Sequence, residues 1–171
     1  METVYFKGTP CHTYGQIPAV GTLAPGFNLA GKGLDEVRLS DYKGKRVVLN
    51  VFPSLDTPVC AASVRKFNQE AAGLENTAVV CISMDLPFAM GRFCSAEGIE
   101  NVTVASAFRS PVFSQEYGLQ IVDGPLAGLL ARAVIVLDEN HKVIYSDLVG
   151  ESPTSPIIKV LFQYLSKINN S

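Results

Sequence analysis

No stretch of this sequence concentrates lysine and arginine. Fourteen basic residues stand against 16 acidic ones, leaving a net charge of −2 over 171 residues. A protein that neutralises nucleic-acid phosphates needs a cationic footprint, so that class is excluded. No apolar run reaches the ~18 residues of a membrane span. The start, Met1-Glu2-Thr3-Val4-Tyr5-Phe6-Lys7, has neither the basic head nor the apolar stretch of a secretory leader. A cytoplasmic protein without membrane attachment is the expectation. Cysteine is scarce, and Cys11, Cys60, Cys81 and Cys94 include no Cys-x2-4-Cys pair. Structural zinc sites are usually built from such pairs. The two histidines do not help, since His12 adjoins Cys11 and His141 stands alone. No metal site is expected. Disulfide staples are not required either: 47% of the residues are apolar, and a chain this long buries roughly 70% of its unfolded surface. The cysteines are left for other duties.

The length suits one domain covering residues 1–171. Val4 to Thr9 reads as a short strand and turn, one arm of a hairpin, followed by a Gly/Pro-rich passage from Gly15 to Gly33. Glu36-Val37-Arg38-Leu39 alternates like a half-buried strand. Arg46 to Phe52 is a nearly continuous β-branched and aromatic run that predicts a central strand covered on both faces. A helix is expected from Thr57-Pro58, with Val64, Phe67, Ala71 and Leu74 facing the core and Gly73 or Asn76 at its end. Thr77–Ser83 is a second buried strand, Pro87–Ala96 a helix weakened by Gly91 and ended at Gly98, and Val102–Ala105 a further strand. Pro111–Tyr117 is a short helix closed by Gly118. Ala133–Leu137 and Lys142–Leu148 form a hairpin around Asp138-Glu139-Asn140. A final helix is capped by Thr154 or Ser155, with Ile157, Ile158, Leu161, Phe162, Leu165 and Ile168 as its apolar stripe. This order predicts an α/β fold, a mixed sheet with helices on both faces, as in thioredoxin. Thioredoxin carries Cys-x-x-Cys at its first crossover helix; this chain has one cysteine there.

That cysteine is Cys60, at the junction of a buried strand and a helix, where open α/β sheets tend to carry their sites. With Pro58 as the first helical residue, Thr57 is the cap and Cys60 lies three residues inside. Its sulfur then sits among unpaired backbone N–H groups at the positive end of the helix dipole, which favours thiolate over thiol. Thiolate is the attacking species. By position alone the residue is read equally well as a buried small hydrophobe.

Pro53-x-x-x-Thr57-x-x-Cys60 resembles the peroxiredoxin active-site motif. Ser54-Leu55-Asp56-Thr57-x-Val59-Cys60 is similar to that of the thiol peroxidase subgroup, whose members form an intramolecular disulfide. The similarity extends from the N-terminal hairpin through Gly118 and Gly124-Pro125-Leu126, and Ala131-Arg132-Ala133-Val134 matches the stretch that carries the family's arginine. The resemblance implies a thioredoxin-like fold and a peroxidase. In it Cys60 is oxidised to sulfenic acid, resolved by Cys94 as a disulfide, and recycled by thioredoxin in a homodimer. Thr57 would hold the peroxide, Arg132 would stabilise charge on the departing oxygen, and Pro53 would shield the pocket. Taken one by one, these three residues read as a helix cap, a strand-end charge and a turn. Since Cys60 and Cys94 lie on separate helices, local unfolding is expected around both during the cycle. Cys81 is read as packing, and Cys11 as an exposed residue near the N-terminal turn. Two rivals share the cysteine chemistry: a thiol–disulfide oxidoreductase, disfavoured without Cys-x-x-Cys, and a redox sensor that relays oxidation to a partner.

Overall fold

Apolar residues run almost without break along each central strand, and successive ones point to the two packed faces of one sheet. The computed structural model describes residues 2–148. A two-stranded antiparallel hairpin opens it, β1 (Thr3–Phe6) and β2 (Thr9–His12). The remaining strands are β3 (Asn28–Gly31), β4 (Glu36–Arg38), β5 (Arg46–Val51), β6 (Thr77–Ser83), β7 (Thr103–Ser106), β8 (Ala133–Leu137) and β9 (Val143–Leu148). They form one sheet in the order β4-β3-β7-β6-β5-β8-β9. The β5–β6 and β6–β7 pairs are parallel and the others antiparallel. The helices are α1 (Pro58–Ala71), α2 (Pro87–Glu97) and α3 (Pro111–Glu116).

β5 is buried along its whole length, as its β-branched run predicts. Val48 and Phe52 join Val79, Cys81, Val104, Val134 and Val136 on one face, packed against Cys60, Val64 and Phe67 of α1 and Met90 and Cys94 of α2. Val47, Leu49, Val51, Val80, Ile82, Ile135 and Leu137 belong to the opposite face, with Phe27, Phe113, Tyr117 and Leu130. Both parallel crossovers, β5-α1-β6 and β6-α2-β7, run the same way across the sheet, so α1 and α2 share a face. Burying each of these large apolar side chains contributes on the order of 1.5–3 kcal/mol. Three of the four cysteines therefore lie on the α1/α2 face.

The expected mixed sheet, flanking helices and N-terminal hairpin are present, as is the β8–β9 hairpin. Several expectations are corrected. β3 lies inside the passage read as a Gly/Pro-rich connection, held by pairing with both β4 and β7. Leu39 starts a short 3-10 turn, Leu39–Tyr42, rather than ending β4. α1 stops at Ala71, so Leu74 packs from beyond the helix. Cys11 is fully buried, not exposed. The loop after β2's neighbour Ile121 closes over it so tightly that a Cβ on Gly124 would stand 2.8 Å from the Cys11 sulfur. The expected final helix from Thr154 lies outside the described residues.

Candidate active site

The chain leaves β5 at Phe52 and Pro53, both buried, and turns through Ser54–Asp56 into α1. Thr57 is the N-cap, with extended backbone (φ −96°, ψ 138°), and Pro58 occupies the first helical position, where its missing N–H costs nothing. The Thr57 hydroxyl donates to the Ser54 carbonyl at 2.9 Å and its oxygen accepts the Cys60 N–H at 3.4 Å. Cys60 thus sits in the first turn with its backbone anchored by the cap. Its residue exposure is 0%.

Arg132 arrives from the other side of β5. In the antiparallel β5–β8 register Val51 faces Ala133, so Arg132 stands beside Phe52 at the mouth of the same strand end. Its Nη2 reaches the Cys60 sulfur at 3.6 Å. The second guanidinium nitrogen, Nη1, is buried without a hydrogen-bond partner. A buried charged donor left unsatisfied is costly, and here it lies beside the Cys60 sulfur and a cavity. Lys or Arg beside a sulfur at a helix N-terminus is the setting in which thiolates are reactive.

The cavity holds about 540 Å³ and is mostly apolar. Pro53, Thr57, Pro58, Val59 and Arg132 form the wall nearest the sulfur. Val4 to Lys7 of the hairpin form a second, and Ile121, Leu126 and Leu129 a third. The hairpin is held in place by His12. Its backbone N–H donates to Asp123 Oδ1 at 2.7 Å and its ring Nδ1 lies 2.6 Å from Asp123 Oδ2. The His12 ring and backbone contacts hold the Asp123 carboxyl below the usual carboxylate range.

The structure brings Pro53, Thr57, Cys60 and Arg132 together. Cys94 lies in α2, buried in the same apolar face as Cys60, and all four cysteines are free thiols. Burial pushes the Cys94 thiol up, against the pull of the Lys32 charge. Cys81 lies beneath α1, where Asn50 donates to its sulfur at 3.7 Å and to Ser63 Oγ at 3.1 Å. Among the described residues no group of three or more His, Cys, Asp or Glu side chains is placed to hold a metal ion. No helix among them is long and apolar enough to cross a membrane.

A family model described as Redoxin matches residues 19–161. A thiol peroxidase of Corynebacterium glutamicum is 57% identical over 156 residues, covering 91% of this chain and 94% of that protein. This chain belongs to the redoxin family. Within it the chain is a peroxiredoxin of the thiol peroxidase subgroup, a peroxidase-class oxidoreductase. Among solved structures, a peroxiredoxin-like protein from Aquifex aeolicus superposes with a TM-score of 0.91 at 40% identity, covering 98% of both chains. A thiol peroxidase from Chromobacterium violaceum, 19% identical with a TM-score of 0.88, covers 98% of this chain and 97% of its own and shares the fold.

Sequence reasoning missed two features of this peroxiredoxin site. The His12–Asp123 pair spans 111 positions, and no local pattern announces it. Asp85 was also passed over, although a carboxylate just beyond the C-terminal end of a parallel strand was a usable signal, since sites on such sheets collect there. Its carboxylate accepts from Ser54 Oγ and from the Leu55 N–H, both at 2.7 Å.

Proposed function

We propose that this peroxiredoxin reduces hydrogen peroxide and organic hydroperoxides through Cys60. The thiolate attacks one peroxide oxygen. The S–O bond forms, the O–O bond breaks, and the departing oxygen takes a proton to leave as water or alcohol, with Cys60 as sulfenic acid. The sulfur of Cys94 then attacks Cys60, forming a disulfide and releasing water. A thioredoxin dithiol returns the two electrons, so sulfur carries the whole redox change without a cofactor.

The observation that carries the reading is the Arg132 guanidinium 3.6 Å from a sulfur held in the first turn of α1. Its unpartnered Nη1 is a donor available to a peroxide oxygen as charge develops there. Thr57 orients the sulfur through its cap and lines the cavity, and Pro53 excludes water from it. The cavity is far larger than hydrogen peroxide requires, given a water's share of about 30 Å³ in the liquid, and its apolar walls suit a hydrocarbon tail. Four free thiols suit a reducing compartment such as the cytoplasm. We assign the chain as a single domain working as a homodimer, and exposed Leu86 and Phe88 at the start of α2 offer apolar surface for such a contact.

One mutant series tests this. Cys60→Ser should abolish peroxide consumption. Cys94→Ser should leave one oxidation per chain but stop recycling by thioredoxin. Parent-like turnover in Cys60→Ser would end the proposal.

A further inference from the structure

Asp85 connects β6 to α2, and its side chain points to the other cysteine-bearing element. Oδ1 accepts the Ser54 hydroxyl at 2.7 Å, while Oδ2 accepts the Leu55 N–H at 2.7 Å and the Ser83 hydroxyl at 2.6 Å. The Asp85 backbone is itself fixed, its N–H donating to Ser83 Oγ and its carbonyl accepting from Ser106 Oγ. From Ser54 the chain of contacts continues to Cys60: the Ser54 carbonyl accepts the Thr57 hydroxyl, and Thr57 accepts the Cys60 N–H. One carboxylate therefore ties the loop that presents Cys60 to the residue preceding the α2 cap, Leu86, which offers no side-chain cap of its own.

A disulfide requires Cα atoms about 4.4–6.8 Å apart and aligned sulfurs. Here both sulfurs are buried and unbonded on separate helices. Bringing them together means moving the first turn of α1, or α2, or both. Either movement strains the bonds that Asp85 makes to Ser54 and Leu55.

We propose that Asp85 is a positioning residue that latches the two cysteine-bearing elements in the peroxide-reactive arrangement, and so sets how long oxidised Cys60 waits for Cys94. The inference rests on the reading of Cys60 and Cys94 as a redox pair. During the wait two reactions compete. Resolution joins Cys60–SOH and Cys94–SH into a disulfide with loss of water. Overoxidation consumes a second peroxide, Cys60–SOH and ROOH giving the sulfinic acid Cys60–SO2H and ROH. A tight latch lengthens the sulfenic state and favours the second.

Asp85→Asn keeps the side-chain shape but replaces one acceptor oxygen with an NH2 group that cannot accept from Leu55 or the serines. Ser54→Ala removes one of the Asp85 bonds, together with the acceptor of the Asp56 N–H, and provides a second variant should the first fold poorly. Reduced parent and variants are mixed with graded hydrogen peroxide, quenched, and read by intact-protein mass spectrometry for disulfide and sulfinic acid. In Asp85→Asn the peroxide concentration that leaves half the chains sulfinic should rise at least tenfold, and in Ser54→Ala by a smaller factor. A purely structural role for Asp85 would lower thermal stability and leave that partition at the parent value. An unmoved partition in both variants overturns the latch. If the parent forms no Cys60–Cys94 disulfide at all, the redox-pair reading falls and the latch with it. A parent disulfide with an unmoved partition removes the latch alone.

Discussion

Raising the pH on reduced protein should expose how tightly the sheet packs beneath α1, because Cys81 has to ionise there. Cys81 is 0% exposed. Burial pushes its thiol from 9.0 up to about 12, the Asn50 hydrogen bond pulling back slightly and charge on Cys94 adding to the rise. Between those values the folded chain keeps a proton that the unfolded chain has lost. The associated stability is complete below about pH 9 and declines as pH rises toward 12. At about 1.4 kcal/mol per pH unit, the loss reaches ~2 kcal/mol by pH 10.5 and ~4 kcal/mol at the end of the window. Urea unfolding under reductant, at pH 8 and pH 10.5, compares the parent with Cys81→Ala. Burial also raises the thiol of Cys94 and the phenols of Tyr117 and Tyr145, so both proteins weaken in alkali; the difference between them isolates Cys81. The parent should lose ~2 kcal/mol more than the variant over that interval. Parallel losses would refute the packing argument. The corollary is that burial keeps Cys81 a thiol near neutrality.

Two further outcomes follow from the site geometry. Arg132→Gln removes the charged donor 3.6 Å from the Cys60 sulfur, and stopped-flow oxidation by hydrogen peroxide should slow by ~100–1,000-fold, the usual scale for one such donor. A rate within threefold of the parent would show that Arg132 does not act on the reacting atoms. The His12 amide donates to Asp123, whose depressed carboxyl lends stability above its unfolded value and loses it as pH falls through the folded one. The His12 amide resonance should therefore titrate with a midpoint below the ~3.9 of an ordinary aspartate; a midpoint at or above that value would contradict the pairing.

What was legible in the chain beforehand was whatever a few consecutive residues decide. The run from Arg46 to Phe52 could hardly be anything but a doubly covered strand, and the sheet buries it throughout. Thr57-Pro58 announces a helix start by cap chemistry and a preset φ, and the cap bond to Cys60 is present. Errors fell where a distant partner decides. Asn28–Gly31 has little strand character and becomes β3 only because β4 and β7 supply its ladder. Cys11 looked exposed near the N-terminal turn because the segment that buries it, around Gly124, lies more than a hundred residues away. Arg132 was picked out through family resemblance, since a contact across 72 positions leaves no local trace. That resemblance also named Thr57 and Pro53, which cap chemistry and turn chemistry alone would have left as scaffold.

For the proposed pairing of Cys60 with Cys94, the hydrogen bonds around the two cysteines argue for an asymmetric rearrangement. A helix's first N–H groups lack intrahelical partners, so the N-terminal side of α1 is held by few bonds: the Cys60 N–H to Thr57 Oγ1 at 3.4 Å, the Ala61 N–H to the Thr57 carbonyl at 3.0 Å and the Thr57 hydroxyl to the Ser54 carbonyl at 2.9 Å. Cys94 is bound more firmly. Its carbonyl accepts from both Gly98, the left-handed cap at φ 66°, and Ile99, and Glu97 beside that end is paired with Arg65 of α1. Asn68 of α1 further accepts the N–H groups of Glu100 and Asn101. The later turns of α1 are thereby tied to the end of α2, leaving the first turn of α1 as the segment that carries Cys60 outward once Asp85 releases Ser54 and Leu55. Gly91 weakens α2 by ~1 kcal/mol relative to alanine, which lets that helix yield second. Deuterium uptake on oxidation should then rise first over residues 54–62 and only afterwards over α2; simultaneous uptake, or uptake led by α2, would place the hinge elsewhere.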